Sequence, residues 1–386
     1  MRSSIFITAA LMVSCGSDPT VTSGDGGSKD DGSASGGSAM ATTEEVRARE
    51  GTFDPALTEH LRAIESQAID VALYEESIRL MDAKDPREIY LLRPPFALAW
   101  GDINFQTQFG RSVDPDAPLD FLDLPAAGRA ARSVVDADRA LDARGIDFLV
   151  VPIPRTPQIY PERLLDGLEV PEDFVGVDPG TAAFLAELDA RGVEVLHLTP
   201  HFAQAREVDA SDRHRYLFHD ENAHWTPRAA SLTADLIAER IAALPNFEPG
   251  DLTEGRDWFI ERIEATMKVP FPGHRPRTTT IHVDAVVDEA GDRALVRSSD
   301  APILLLGDSN CGWYSDFNAN FADQLFARLG QSLDAVIPQG PDARTAWNAV
   351  LRRTDRGLLE DKRIVVWVFD SGKLGQGEMV PTLFEE

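Results

Sequence analysis

Two short segments of the chain carry residue types suited to nucleophilic catalysis. In the first, Gly307-Asp308-Ser309-Asn310 directly follows the apolar run Ile303–Leu306. A tight turn at the end of a buried strand lets a serine hydroxyl project from the sheet edge. It also lets the serine's own backbone N–H face a developing oxyanion. A serine hydroxyl is a weak nucleophile until a neighbouring base takes its proton, and the chain has 8 histidines to offer. The best placed is His224, in the second segment, His219-Asp220-Glu221-Asn222-Ala223-His224-Trp225-Thr226-Pro227. Thr226 is a good helix N-cap and Pro227 a good first helical residue, so His224 is expected on a loop entering a helix.

Other groups compete for attention near these two. Tyr314, five residues after Ser309, and Gln339-Gly340, after the apolar run Leu333–Ile337, are candidates to line the pocket or the oxyanion site. A loop turn and a surface aromatic would account for them equally well. Cys311 lies two residues from Ser309, but nothing beside it lowers its pKa, so it is expected to be inert. His197 and His201, with His214 and His219 soon after, raise the question of a metal. Pro200 is expected to interrupt any helix that would bring the first two together, and no third-ligand spacing is recognisable, so no metal or other cofactor is expected. His274, Arg275 and Arg277 form a small basic island in an acidic protein and suit a solvated loop or an anionic sugar.

Short β-branched-rich runs at 148–153, 193–198, 303–306, 333–337 and 364–369 suit strands buried on both faces. Helical patterns separate them at 126–144, 181–191, 227–244, 317–329 and 343–359, with Gly145 and Gly192 as C-caps of the first two. This alternation implies a parallel sheet covered by helices on both faces, an α/β three-layer domain. Upstream, Leu57, Leu61, Ile64, Ala68, Val71 and Leu73 give an approximate helical stripe that Pro86 ends, an N-terminal helical extension over 43–85. The α/β domain then runs over 86–386. Within it, 246–300 reads as a small β-containing insertion, with one alternating run, Thr279–Val287.

A serine in a Gly-Asp-Ser turn after a strand, and a histidine followed by tryptophan before a helix, resemble the SGNH-hydrolase superfamily. The order, histidine segment first, is similar to its permuted branch, the alginate O-acetyltransferase-like (AlgX/AlgJ-type) proteins. Val150-Val151-Pro152-Ile153-Pro154-Arg155, followed by Ile159-Tyr160-Pro161-Glu162-Arg163-Leu164, resembles that family's strand-then-"YP" segment. The resemblance covers Asp85 to the C-terminus and implies an SGNH-like fold with Ser309 as nucleophile and His224 as base. Where the family carries aspartate two residues before the histidine, this chain has Asn222. Asparagine orients a histidine but does not neutralise an imidazolium, and in a serine protease an Asp-to-Asn change costs about 10⁴ in rate. Three readings stay open: Glu221, three residues before His224, or Asp220 supplies the charge; Asn222 supports a slower enzyme; or the site has lost catalysis.

The N-terminus reads as an export signal. Arg2 precedes an apolar run from Ile5 to Val13, about half of the ~20 residues a membrane-spanning helix needs, and Ser14 stands before Cys15. Residues 1–14 resemble a bacterial lipoprotein signal peptide, although Met12 stands where leucine is usual, so Cys15 is expected to carry lipid. Residues 15–42 are then the lipidated cysteine and a Gly/Ser/Asp-rich flexible tether, with a root-mean-square reach of roughly 25 to 30 Å. Gly16, where retained lipoproteins carry aspartate, resembles lipoproteins released to the outer membrane. Of the 2 cysteines only Cys311 would then stay a free thiol, so no intramolecular disulfide is expected. The net charge of -27 argues against nucleic acid as a partner and against a broad basic surface for a polyanion. The expectation is an exported serine-dependent O-acetyltransferase or acetylesterase in the cell envelope, with a polysaccharide, an acyl donor and polysaccharide-export proteins as partners. The alternative is a catalytically silent lipoprotein that keeps the fold as a carbohydrate-binding or assembly component of an export system.

Overall fold

The computed structural model describes residues 69–83, 90–93, 96–98, 125–206, 216–219, 224–244, 247, 258–269, 277–288, 290–292, 298–338, 343–354, 359–376, 379–381 and 383. The expected signal segment, Cys15 and the expected tether lie outside them. So do Asp220–Ala223, with Glu221 and Asn222, as well as His214, His274, Arg275 and Gln339-Gly340.

In chain order the elements are helix α1 (Ile69–Ala83), strands β1 (Tyr90–Arg93) and β2 (Phe96–Leu98), α2 (Pro125–Asp142), β3 (Asp147–Ile153), α3 (Thr156–Ile159), α4 (Pro179–Asp189), β4 (Glu194–Val195), α5 (Leu198–Ala205) and α6 (Pro227–Ala242). The hairpin strands β5 (Trp258–Val269) and β6 (Arg277–Asp288) follow. Then come β7 (Ile303–Leu306), α7 (Ser309–Gly312), α8 (Phe321–Leu329), β8 (Leu333–Val336), α9 (Arg344–Thr354) and β9 (Ile364–Asp370).

The five main strands form one parallel sheet in the order β4-β3-β9-β7-β8. The chain moves outward from β3 to β4 and from β7 to β8, and β9 returns between them. In open parallel sheets a crevice at the carboxyl edge forms where the strand order reverses. Three strands meet there: β9 ends in Asp370, Arg155 lies two residues beyond β3, and Asp308-Ser309 lies just beyond β7.

Because side chains alternate across a strand, each strand feeds two cores. Phe148, Val150, Leu304, Leu306, Val365, Trp367 and Phe369 pack on one face with α2, α4 and α9. Leu149, Val151, Ile303, Leu305, Val366 and Val368 pack on the other with α5, α6 and α8. Sheet and helices thus make the three layers of an α/β domain. Each fully buried Leu, Val or Ile contributes about 1.5–3 kcal/mol relative to exposure. Helix α1, the described part of the helical extension, buries Ile69, Leu73 and Leu80 against Leu164, Phe174 and Val177.

Four expected elements differ in detail. The strand expected over 193–198 pairs only at Glu194 and Val195, because Leu198 already opens α5 with His197 as its N-cap. Pro200 does not interrupt that helix. It falls in the first turn, where a missing N–H costs no hydrogen bond. The helix expected over 317–329 starts at Phe321, where Asn320 and Asp323 form a capping box. Before it, Tyr314 and Asn318 adopt left-handed backbone, φ 67° and 55°. The helix expected over 343–359 is described only over Arg344–Thr354. In the 246–300 stretch, β5 and β6 pair antiparallel over their full length, from Trp258↔Asp288 to Val269↔Arg277. The partner strand β5 carries no clear alternation in sequence and leaves Phe259 and Ile260 exposed.

Candidate active site

Ser309 opens α7 directly beyond β7, half-buried at the carboxyl edge of the sheet. The turn that presents it is held by Asp308, whose Oδ1 accepts the Asn310 N–H at 2.9 Å. Gly307 is required for close approach: a Cβ there would lie 2.6 Å from the Cys311 Cβ and 2.8 Å from its Sγ.

His224 reaches the same point from the other direction. His219 N–H donates to the His224 carbonyl at 3.1 Å, and Thr226 N–H donates to the Leu217 carbonyl at 2.9 Å. Together with the Phe218–Trp225 bridge, these pair 217–219 with 224–226 as a short antiparallel ribbon. Thr226 caps α6 by accepting the Ala229 N–H, and its own hydroxyl donates to the Tyr216 carbonyl at 2.7 Å. The Tyr160-Pro161 segment supports this ribbon from below. The Tyr160 hydroxyl is buried and accepts the Leu217 N–H at 3.2 Å, and burial pushes its pKa up to about 12.

The two segments are locked together through Trp225. Its backbone N–H donates to Asn310 Oδ1 at 3.2 Å, and its indole N–H donates to the Asn310 carbonyl at 2.9 Å. Tyr314 closes the other side: its hydroxyl donates to the Trp225 carbonyl at 2.8 Å and bonds His219 Nε2 at 2.6 Å. With that proton committed, Tyr314 serves as a clasp between the segments, and it is buried. Trp313 lies against the His224 ring, with centroids 4.2 Å apart and planes at 32°. The hairpin packs behind this pair, through Ala265, Ile281 and Val283.

The result is a Ser309 Oγ that lies 3.0 Å from His224 Nε2, within hydrogen-bond reach. Burial lowers the His224 pKa to about 4, with Asp308 raising it and Lys373 lowering it further. The imidazole is therefore neutral at pH 7 and its Nε2 is able to accept the serine proton. Cys311 is fully buried, and burial raises its thiol pKa well above the ordinary value, so it stays protonated.

The model for the SGNH hydrolase-like domain of acetyltransferase AlgX matches residues 122–371, more than half of the chain. The chain belongs to this AlgX-type family. The O-acetyltransferase domain of Pseudomonas putida AlgJ is similar over 74% of this chain and 92% of that one, at 17% identity and a TM-score of 0.52. Pseudomonas aeruginosa AlgX is similar over 75% of this chain and 64% of that one, at 19% identity and a TM-score of 0.50. At these identities the likeness speaks for the fold, which is the SGNH-like one. A comparison with curated proteins found no match.

The AlgX-type domain thus brings Ser309, His224 and Tyr314 together; Glu221, Asn222, Gln339 and Gly340 lie outside the described residues. Among the described residues no cluster of His, Cys, Asp or Glu could hold a metal ion. His197 is instead buried, with Nε2 3.7 Å from Asp178 Oδ2. Sequence reasoning passed over Asp308, Asn310, Trp313 and Lys373. Asp308 and Asn310 flank the serine, and Lys373 lies just beyond the last strand, so the rule that ligand sites sit after strand ends would have reached all three. Arg155 and Asp370, also at strand ends, form a bidentate pair at 2.9 Å.

Proposed function

We propose that this chain is an exported serine-dependent O-acyltransferase that moves acetyl on an envelope or extracellular polysaccharide. The observation that carries the reading is the 3.0 Å contact between Ser309 Oγ and His224 Nε2 at the carboxyl edge of an AlgX-type sheet. That the family takes its model from the acetyltransferase AlgX, and that the similar P. putida AlgJ domain is an O-acetyltransferase, supports the choice of group transferred. The resemblance to alginate O-acetyltransferases supports a polysaccharide acceptor.

In this reading His224 Nε2 takes the Ser309 hydroxyl proton as Oγ bonds to the acyl carbonyl carbon. The backbone N–H of Ser309 faces the oxyanion that forms on the former carbonyl oxygen. The donor's bond to its leaving oxygen then breaks, and that oxygen leaves with the proton from His224, giving acyl-Ser309. A sugar hydroxyl next gives its proton to His224 and attacks the same carbon. Ser309 Oγ departs and recovers the proton. Hydrolysis differs only in that water replaces the sugar hydroxyl.

The same reading places the domain outside the cytoplasm, anchored through lipid on Cys15, with acyl donors available beyond the inner membrane. The direct test is incubation with a chromogenic acetyl ester and, separately, a fluorophosphonate. A burst of product and covalent labelling, both lost in Ser309→Ala, support the enzyme. No turnover and no labelling of Ser309 would replace it with the non-catalytic carbohydrate-binding reading that Asn222 suggests.

A further inference from the structure

Two opposite charges are buried directly behind the candidate nucleophile. Asp308 Oδ2 accepts the Asp370 N–H at 2.8 Å and the Lys373 ammonium at 2.9 Å, while its Oδ1 caps Asn310. Lys373 stands on the turn Ser371–Gln376 that follows β9. The side chains of the pair are only 10% and 7% exposed, for Lys373 and Asp308. Replacing a buried ion pair by apolar residues is often neutral or stabilising, so stability alone is a weak reason for this one. Its placement offers a better one. Asp308 is bonded to Ser309, whose hydroxyl meets His224, so the carboxylate that holds Lys373 belongs to the residue next to the nucleophile.

The other groups around His224 contribute less. His219 and Tyr314 are bonded to each other, the Cys311 thiol is protonated, and Trp313 presents an apolar ring. Arg155 and Asp370 pair with one another next to Asp308, whose Oδ2 accepts the Asp370 N–H. The described charges that act on His224 are Asp308, which favours its protonated form, and Lys373, which opposes it.

We propose that Asp308 and Lys373 are positioning residues of the Ser309–His224 pair: the carboxylate steadies the charge that His224 takes up, and the ammonium limits it so that the proton is returned. The proposal rests on the nucleophile-and-base reading of the site. It gives the site a fixed negative charge, next to the nucleophile in the chain, that favours the imidazolium. When the Ser309 proton moves to Nε2, the new positive charge forms in the field of an existing carboxylate on the neighbouring residue of the chain, and the second proton transfer leaves the ion pair unchanged.

The test is the titration of His224 in the full-length protein, followed by NMR of labelled histidine and assigned through His224→Gln. Lys373→Gln removes the cation and keeps a donor to Asp308. It should move the titration up by about one pH unit, as expected for a unit charge several ångströms away in a partly polar interior. Lys373→Arg should titrate as the wild type, and Asp308→Asn should move the titration down. The acid limb of kcat/KM should follow the same shifts, with kcat falling in Asp308→Asn and KM unchanged. If either single variant fails to fold, Asp308→Asn/Lys373→Gln removes both charges without leaving one unpaired. It should titrate near the wild type with reduced kcat. Wild-type titration in folded Lys373→Gln, or wild-type kcat in the double variant, overturns the proposal. Shifts as expected in a protein whose Ser309 takes no fluorophosphonate would instead overturn the nucleophile reading and leave the charge assignment standing.

Discussion

The depressed pKa of His224 makes acid pH the most informative perturbation of this site. A histidine at its ordinary value of about 6.5 is about one-tenth neutral at pH 5.5, so a base of that kind would lose about tenfold in kcat/KM between pH 7.5 and 5.5. With its value lowered to about 4, His224 stays almost wholly neutral over that range. The expected profile for an activated acetyl ester is therefore flat from pH 7.5 to 5.5, with half-maximal activity on the acid side near pH 4.

Stability gives a second readout of the same quantity. The folded value lies below the unfolded one, so the unfolded chain takes up the proton first and acid favours unfolding. Nothing is lost above pH 6.5, and the loss grows as pH falls from 6.5 towards 4. The difference between about 6.5 and about 4 corresponds to about 3 kcal/mol. Urea unfolding at pH 7 and pH 4 should show His224→Gln losing about that much less stability than the wild type. A kinetic midpoint near pH 6.5, or equal acid losses in the two proteins, would refute the inference that burial holds this imidazole neutral.

Trp313→Ala uncovers the face of the His224 ring, and the kinetic acid limb should rise towards pH 6.5, by about one pH unit, while Trp313→Phe retains most of the effect. Gly307→Ala forces a Cβ onto Cys311 and should cost about 1–3 kcal/mol in urea unfolding, with kcat reduced because the Ser309 turn must move. Metabolic labelling with a radioactive fatty acid should mark the wild-type protein and not Cys15→Ser, whose release from the membrane fraction would follow from loss of the anchor.

The sheet was legible because each of its strands is a short apolar run that the chain cannot leave in water. Ile303–Leu306 and Ile364–Phe369 are apolar at every position, which is what burial on both faces demands. The region after Ser309 was less legible for a physical reason. Phe317, Phe321 and Leu325 are spaced as on one helix face, yet Phe317 packs towards the hairpin while Phe321 and Leu325 enter the sheet core. The spacing records that all three are apolar, not that they share an element. What starts α8 at Phe321 is the local hydrogen bonding of Asn320 with Asp323, a signal that a hydrophobic repeat does not contain.

The same distinction separates the two halves of the site. Ser309 and His224 announce themselves through turn and cap residues adjacent in sequence. The groups that govern them come from far along the chain. Trp313 covers the His224 ring across 89 positions of sequence, Tyr314 holds the Trp225 carbonyl, and Lys373 reaches Asp308 from beyond the last strand. None of these contacts has a spacing rule, because they exist only once β9 has inserted between β3 and β7 and the hairpin has packed against 313–319. The order of strands therefore does chemical work: by placing β9 beside β7, it brings the cation after one strand to the carboxylate after the other, one residue from the serine.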